Sequence, residues 1–414
     1  MTQTASDRTN PVEAAFVDDS PLIGRRHGER DATRDGRATG GRGKVLIVGG
    51  GIAGLSTAWG LVRRGFTVEL FEQGPVPNPV ASSFDEHRIT RHAYGELEGY
   101  GEMMPGAFAV WAAMWGDLGV SHYEPMPVVY FLRGGSPWLE PTIRSLDRMK
   151  VGWREVPLAA VPGRFPMVET DGLTQAIETD GGGLLFPSRI LMDLVVWLAG
   201  KGVVFHPMSK VTAVDPEAGT VTVGGTVHAG DRVVVAAGAW ATRLVAPLAA
   251  RAVPSRQAVV FLAPPAELAS AWAAAPVLID IGEESGTYTL PPRRSTRLKV
   301  GDHRFTRKGD PDGDRAGTDA DVAQLFAAAR LAYRGFDRYT VLERKACFYT
   351  VTEDERFVVE PIGAKGTVVS ACSGHGFKLG AAIGDGVARA IAGEWSAADL
   401  TRWAAGRAAQ TVTA

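Results

Sequence analysis

Gly49, Gly51 and Gly54, in "KVLIVGGGIAGLSTAWGLVRRGFTVELFEQG", have the spacing G-x-G-x-x-G between an apolar run and an amphipathic one. There the first glycine permits a tight turn, the second lets backbone approach a pyrophosphate, and the third brings helix close to strand, with the helix N-terminus facing the phosphates. Ile52 and Ala53, between the glycines, join them as cofactor-binding candidates. Glu72 follows Gly54 by 18 residues, at the end of the next apolar run, where an acid hydrogen-bonds an adenosine ribose; Gln73 belongs to the same turn. An acid here would repel a 2′-phosphate, which argues against NADP and leaves NAD and FAD open. Cys347, in "RKACFYTVTEDERF", is one of two cysteines in 414 residues. A thiol reacts as its thiolate, and Arg344 and Lys345 beside it would favour that form. Arg88 and Arg91, in "RITRHAY", are three apart and would share one face of a helix. Lys299, in "RLKVGDH", alternates with Leu298 and Val300, so on a strand it faces away from the apolar pair.

Positioning these groups requires a βαβ unit first: a buried-type strand at Val45–Val48, a helix through Arg64 and a second strand at Thr67–Phe71. "DRVVVAAGAW" at 231–240 and "GTVVSACSG" at 366–374 read as later strands of the same sheet, separated by long insertions. "PVVYFLRG", "GTYTLPPRRSTRLKVGDHRF" and "LERKACFYTVTEDERFVVEP" are rich in β-branched and aromatic residues, as antiparallel strands would be. The expected fold is therefore α/β plus α+β: a discontinuous Rossmann-like nucleotide-binding domain (44–120, 181–247 and 353–414) and a mostly antiparallel substrate domain (121–180 and 248–352). Residues 1–43, rich in Arg, Asp and Gly, offer no periodic apolar face and read as a disordered tail. Arg25 and Arg26 are not followed by the hydrophobic segment that an export signal needs.

A 45% hydrophobic, 22% charged composition is that of an ordinary globular protein, long enough for two cores. A net charge of −2 supplies no footprint for nucleic acid or anionic lipid, and no apolar run approaches the length of a membrane span. Two cysteines build neither a disulfide framework nor a metal site, and they fit a reducing cytoplasm.

From Lys44 to Gly393 the chain resembles the monomeric sarcosine oxidase group of FAD-dependent amine oxidases, which includes N-methyltryptophan oxidase. The stretches that carry the likeness are the glycine fingerprint, "RITRHAYGE", "RLKVGDH", "KACFYTVTEDE" and "SGHGFK". The resemblance implies FAD held by a thioether from Cys347 to the 8α carbon of the flavin. It places Lys299 near flavin N5, where a fixed charge would stabilise superoxide forming in electron transfer to O2, an effect of about 3–4 kcal/mol by analogy with a lost oxyanion donor. It places Arg88 beside the flavin, Arg91 and Lys378 on a substrate carboxylate, and Tyr288, His303 and Tyr349 in the pocket. Ser82 and the turn Ser373, Gly374, His375, Gly376, Phe377 and Lys378 would contact the cofactor, the following helix aiming its positive end at the ring.

The implied reaction is oxidation of a secondary or cyclic amino acid to an imine, with O2 reduced to hydrogen peroxide, by a monomer or small homo-oligomer without a metal. Two departures stand out: "SSFDEH" before Arg88, where relatives commonly have histidine and glycine, and Asp302 in place of an aromatic residue, which adds negative charge at the pocket edge. Cys372 reads as an inert residue of a buried strand. A dehydrogenase using another acceptor, a non-catalytic flavin-binding protein and an NAD-dependent dehydrogenase remain the alternatives.

Overall fold

The computed structural model describes residues 41–407; the expected tail up to residue 40, with Arg25 and Arg26, lies outside the described residues. Strand β1 (Lys44–Val48), helix α1 (Ile52–Arg63) and strand β2 (Thr67–Phe71) form the expected βαβ unit, β1 and β2 being parallel. They belong to a six-stranded sheet in the order Val358–Ile362, Gly366–Ser370, Arg232–Val235, β1, β2, Val204–His206. All neighbours are parallel except the hairpin formed by Val358–Ile362 and Gly366–Ser370. The continuous apolar run of β1 follows from burial on both faces. Val45 and Ile47 pack with α1 and the helices Glu98–Leu118, Pro187–Gly200 and Gly380–Ile391. Leu46 and Val48 pack with the small antiparallel sheet of residues 211–229 and the short helices that follow it.

The fingerprint glycines meet the geometry expected of them. Gly49 has φ +108°, and a Cβ there would lie 2.4 Å from the Ala236 carbonyl oxygen. A Cβ on Gly54 would lie 1.9 Å from the Gly49 oxygen, so only glycine lets α1 start this close to the strand.

The second large sheet has eight strands, in the order Thr340–Thr352, Ala252–Ala263, Leu298–Asp302, Thr287–Leu290, Val277–Ile281, Val128–Arg133, Leu173–Thr179, Trp153–Glu155. One pair is parallel, Val128–Arg133 with Val277–Ile281; the others are antiparallel. One face of this sheet buries Val260, Leu262, Leu298 and Val300 against Val322, Leu325 and Ala329 of helix Asp319–Ala332. That helix is started by a capping box in which Thr318 and Asp321 exchange hydrogen bonds.

Arg88–Thr90 is a strand paired with Gly183–Leu185, so the helical condition under which Arg88 and Arg91 would share one face is not met. One reading is corrected. Cys372 lies beyond the end of the strand Gly366–Ser370, in the turn that follows.

Candidate active site

A cavity of about 480 Å³ is lined by residues of both large sheets, α1 and the turn at 371–378. At one end Val48, Gly49, Gly51, Ile52 and Ala53 meet Glu72 and Gln73. The Glu72 carboxylate, buried, accepts hydrogen bonds from the Gly50 N–H (2.8 Å), the Gly74 N–H (3.1 Å) and Asn78 Nδ2 (2.9 Å). An ionised carboxylate has about four acceptor positions, so capacity remains for a ribose hydroxyl. Ser83 Oγ accepts from the Ile52 N–H at 3.0 Å, and no acidic side chain sits in the first turn of α1. That leaves its positive end facing the cavity.

At the other end four basic side chains meet, Lys299, Arg88, Arg91 and Lys378. Lys299, on the strand Leu298–Asp302, has no solvent exposure. Its Nζ donates to Asp85 Oδ2 and, at 3.4 Å, to the His87 carbonyl oxygen. Asp85 also faces Arg88 Nη2 at 3.1 Å. The two cations hold the Asp85 carboxyl below its usual range despite burial, while burial brings Lys299 down to about 8. Arg88 further donates to the Ser82 carbonyl (2.8 Å) and approaches the Tyr349 hydroxyl (3.4 Å); its Nε has no protein partner. Burial pushes the Tyr288 and Tyr349 phenols up, so both rings stay protonated beside Arg88.

Arg91, just past the strand Arg88–Thr90, lies over the Tyr94 ring at 5.1 Å and bonds the Ala93 carbonyl. Lys378 Nζ lies 5.2 Å from the same ring and donates to the His375 carbonyl at 3.2 Å. Among the described residues neither cation has a carboxylate partner. Burial and the neighbouring Arg91 and Arg88 push the Lys378 ammonium well below its ordinary value. His303 opens onto the cavity, 5.3 Å from the Tyr288 ring; its enclosure, with Arg91 and Lys378, brings it down to about 3, so it is neutral at physiological pH. His375, stacked on Phe357 at 4.6 Å, is held neutral in the same way.

The candidates read from the sequence thus line one cavity, with two exceptions. Gly54 acts through packing. Cys347 lies beside the wall rather than on it, packed with Tyr349, Val351, Phe305 and Cys372, and burial pushes its thiol up, opposed by Arg88, Lys299 and Lys345. Arg344, counted with Lys345 as an activating neighbour, is paired with Asp319 instead. Cys372 does line the cavity. Sequence reasoning missed Asn78, Ser83, Asp85 and Tyr94; of these Ser83 and Asp85 left a signal, as part of the aberrant "SSFDEH", and Tyr94 lies within "RITRHAYGE". Among the described residues no cluster of metal-ligating side chains occurs, and no helix is long and apolar enough to cross a membrane.

A glycine-turned βαβ unit, an acid on the ribose position and a cationic cavity between a parallel and a mixed sheet define a dinucleotide-dependent oxidoreductase with its cofactor enclosed. The chain belongs to the FAD dependent oxidoreductase family (DAO), whose model matches residues 44–390. It is 24% identical over 352 residues to N-methyl-L-tryptophan oxidase of Yersinia pestis (strain Pestoides F), covering 82% of this chain and 92% of that protein. NikD, an unusual amino acid oxidase essential for nikkomycin biosynthesis, superposes with a TM-score of 0.75 at 18% identity, over 87% of this chain and 96% of NikD. L-proline dehydrogenase from P. horikoshii gives 0.75 at 17%, over 89% and 97%.

The residues present fit FAD. The fingerprint and the α1 N-terminus would hold the pyrophosphate, Glu72 the ribose, and Arg88, Lys299 and the turn Gly374–Lys378 the ring end.

Proposed function

We propose that the protein oxidises the CH–NH bond of a secondary or cyclic amino acid to an imine and passes the electrons to O2, forming hydrogen peroxide. The observation that carries this reading is the pair of enclosed basic side chains, Arg91 and Lys378, facing the cavity without a carboxylate of their own. A planar guanidinium suits a substrate carboxylate, whose charge would in turn favour protonation of the Lys378 amine that burial disfavours. FAD supplies the two-electron chemistry. The chain's residues do the rest: Arg91 and Lys378 orient the carboxylate, neutral His303 and the Tyr288 hydroxyl offer hydrogen bonds, and Tyr94, Trp138 and Ile279 wall the substrate end against water. N-methyl-L-tryptophan oxidase and NikD, by their names, act on amino acids, which agrees with this assignment. In the same reading residues 44–120, 181–247 and 353–414 carry the cofactor, 121–180 and 248–352 the substrate, and Cys347 forms the flavin thioether.

A panel of N-alkyl and cyclic amino acids should bleach the flavin anaerobically and yield stoichiometric peroxide in air. Bleaching by none of them overturns the assignment. Acid precipitation should keep the yellow colour with the protein in wild type and Cys372→Ser, and release it in Cys347→Ser. Release only in Cys372→Ser would move the tether to the cysteine that lines the cavity.

A second reading, a dehydrogenase with another acceptor, is favoured by Asp85, which partly cancels the Lys299 charge. Reoxidation in air that is slow and unchanged in Lys299→Met would select it.

A further inference from the structure

We infer that Asp85 is a positioning residue for Lys299: its carboxylate, brought in from a separate loop, fixes the ammonium on the cavity wall and keeps it charged. The inference rests on the assignment of Lys299 to the flavin end of the cavity, but not on any particular substrate.

Lys299 sits in the middle of the eight-stranded sheet, and its cross-strand neighbours are Phe261 on one side and Leu290 on the other. The sheet therefore offers the ammonium no counterion. An unpaired buried ammonium gives up its proton rather than remain charged in such a place. Asp85 supplies the missing charge from 214 residues away, with side-chain exposures of 0% for the lysine and 3% for the aspartate. The residue next to Asp85 anchors the loop: the Glu86 carboxylate accepts from the Arg297 N–H (2.8 Å) and Nε (2.6 Å), immediately before the strand that carries Lys299. The Asp85 main chain is held from the other side, its carbonyl accepting from the Ser188 N–H at 3.2 Å. The side chain is thus aimed at Lys299 by contacts on both flanks.

The remaining groups around the ammonium act against its charge or only weakly for it. Arg88 opposes it, Cys347 favours it only as a thiolate, the buried His87 ring is kept neutral, and Lys345 and Tyr288 face Asp85 and Arg88. Within this set Asp85 is the anion, and removing its charge leaves Lys299 beside Arg88 alone.

The test uses flavin-loaded protein reduced anaerobically with one equivalent of dithionite as the two-electron donor, so that no amine is needed and a wrong substrate assignment does not affect the result. The absorption spectrum of the oxidised flavin is titrated from pH 6 to 10, and reoxidation in air is followed by stopped flow over the same range. Wild type should show one inflection near 8 in both, and Lys299→Met should show none. Asp85→Asn, equal in size, should move it down by at least about one unit, so that at pH 8 the variant reoxidises like Lys299→Met and at pH 6 like wild type. An unmoved inflection in Asp85→Asn, or one that survives in Lys299→Met, overturns the inference. If Asp85→Asn loses flavin or folds poorly, Asp85→Asn with Lys299→Met decides. Recovery of flavin content and thermal midpoint in the double variant shows that the uncompensated ammonium was the fault, and no recovery shows that Asp85 is merely structural.

Discussion

Arg91 and Lys378 have no carboxylate of their own in the described structure, so each should matter to the substrate more than to the fold. Arg91→Met is expected to raise KM for an amino acid substrate roughly 10- to 100-fold with a smaller change in kcat, because a charge-assisted hydrogen bond contributes about 1.5–3 kcal/mol. Arg91→Lys should recover only part of this, since the planar fork is lost. Equal losses for an amine without a carboxylate would refute the role; steady-state kinetics with matched substrates reads it. His303 is already neutral well above about 3, so His303→Gln should leave every inflection of the kcat/KM profile between pH 5 and 8 in place. An inflection that disappears in the variant would make His303 a titrating base. The glycines and Glu72 were legible at this scale from type and spacing, whereas Lys299, Arg91 and Lys378 were singled out by the resemblance to a known family. Asp85 was not, because a carboxylate in a polar loop looks like any solvated acid until its partner, distant in sequence, is known.

At the scale of elements, α1 and the helix Gly380–Ile391 cross at a contact built from small residues, with Ser56 Oγ donating to the Gly380 carbonyl at 2.8 Å. A Cβ on Gly384 would come within 2.3–2.5 Å of Ser56 and Thr57 atoms, and backbone cannot move aside cheaply. Gly384→Ala should therefore cost about 1–3 kcal/mol and lower the thermal midpoint by roughly 1–4 °C. Gly200→Ala, at a helix end with open space around it, should not lower it. A calorimetric scan of the two variants compares them, and equal midpoints would contradict the packing account. Strands β1 and β2 were legible from their apolar runs. The segment 88–91 was left open, because three-residue spacing carries no information about whether a short stretch coils or extends; pairing with Gly183–Leu185 makes Arg88–Thr90 a strand.

For the molecule as a whole, burial holds four imidazoles neutral: His87 and His303 at about 3, His92 at about 4 and His375 well below its ordinary value. In the unfolded chain they protonate near about 6.5, so between that pH and the folded values the unfolded state binds more protons and stability falls with falling pH. Each such group contributes up to about 1.4 kcal/mol per pH unit below that value. Asp280, Asp302 and Glu355, whose carboxyls burial raises, oppose this loss only as the pH nears the carboxylate range. Urea midpoints should drop from pH 7.5 to pH 5, and a flat profile would show that these rings are hydrated. The sequence by itself determined the nucleotide-binding unit and the two kinds of sheet, because turn geometry and strand alternation are local and need only neighbouring residues; the cavity's basic residues were singled out by the resemblance to a known family and not by local spacing. The tertiary structure alone decided which anion faces Lys299, that Arg344 turns away to Asp319, and that Cys372 rather than Cys347 reaches the cavity wall. Those pairings are set by how strands from distant parts of the chain are registered and twisted against one another, and local spacing does not encode that.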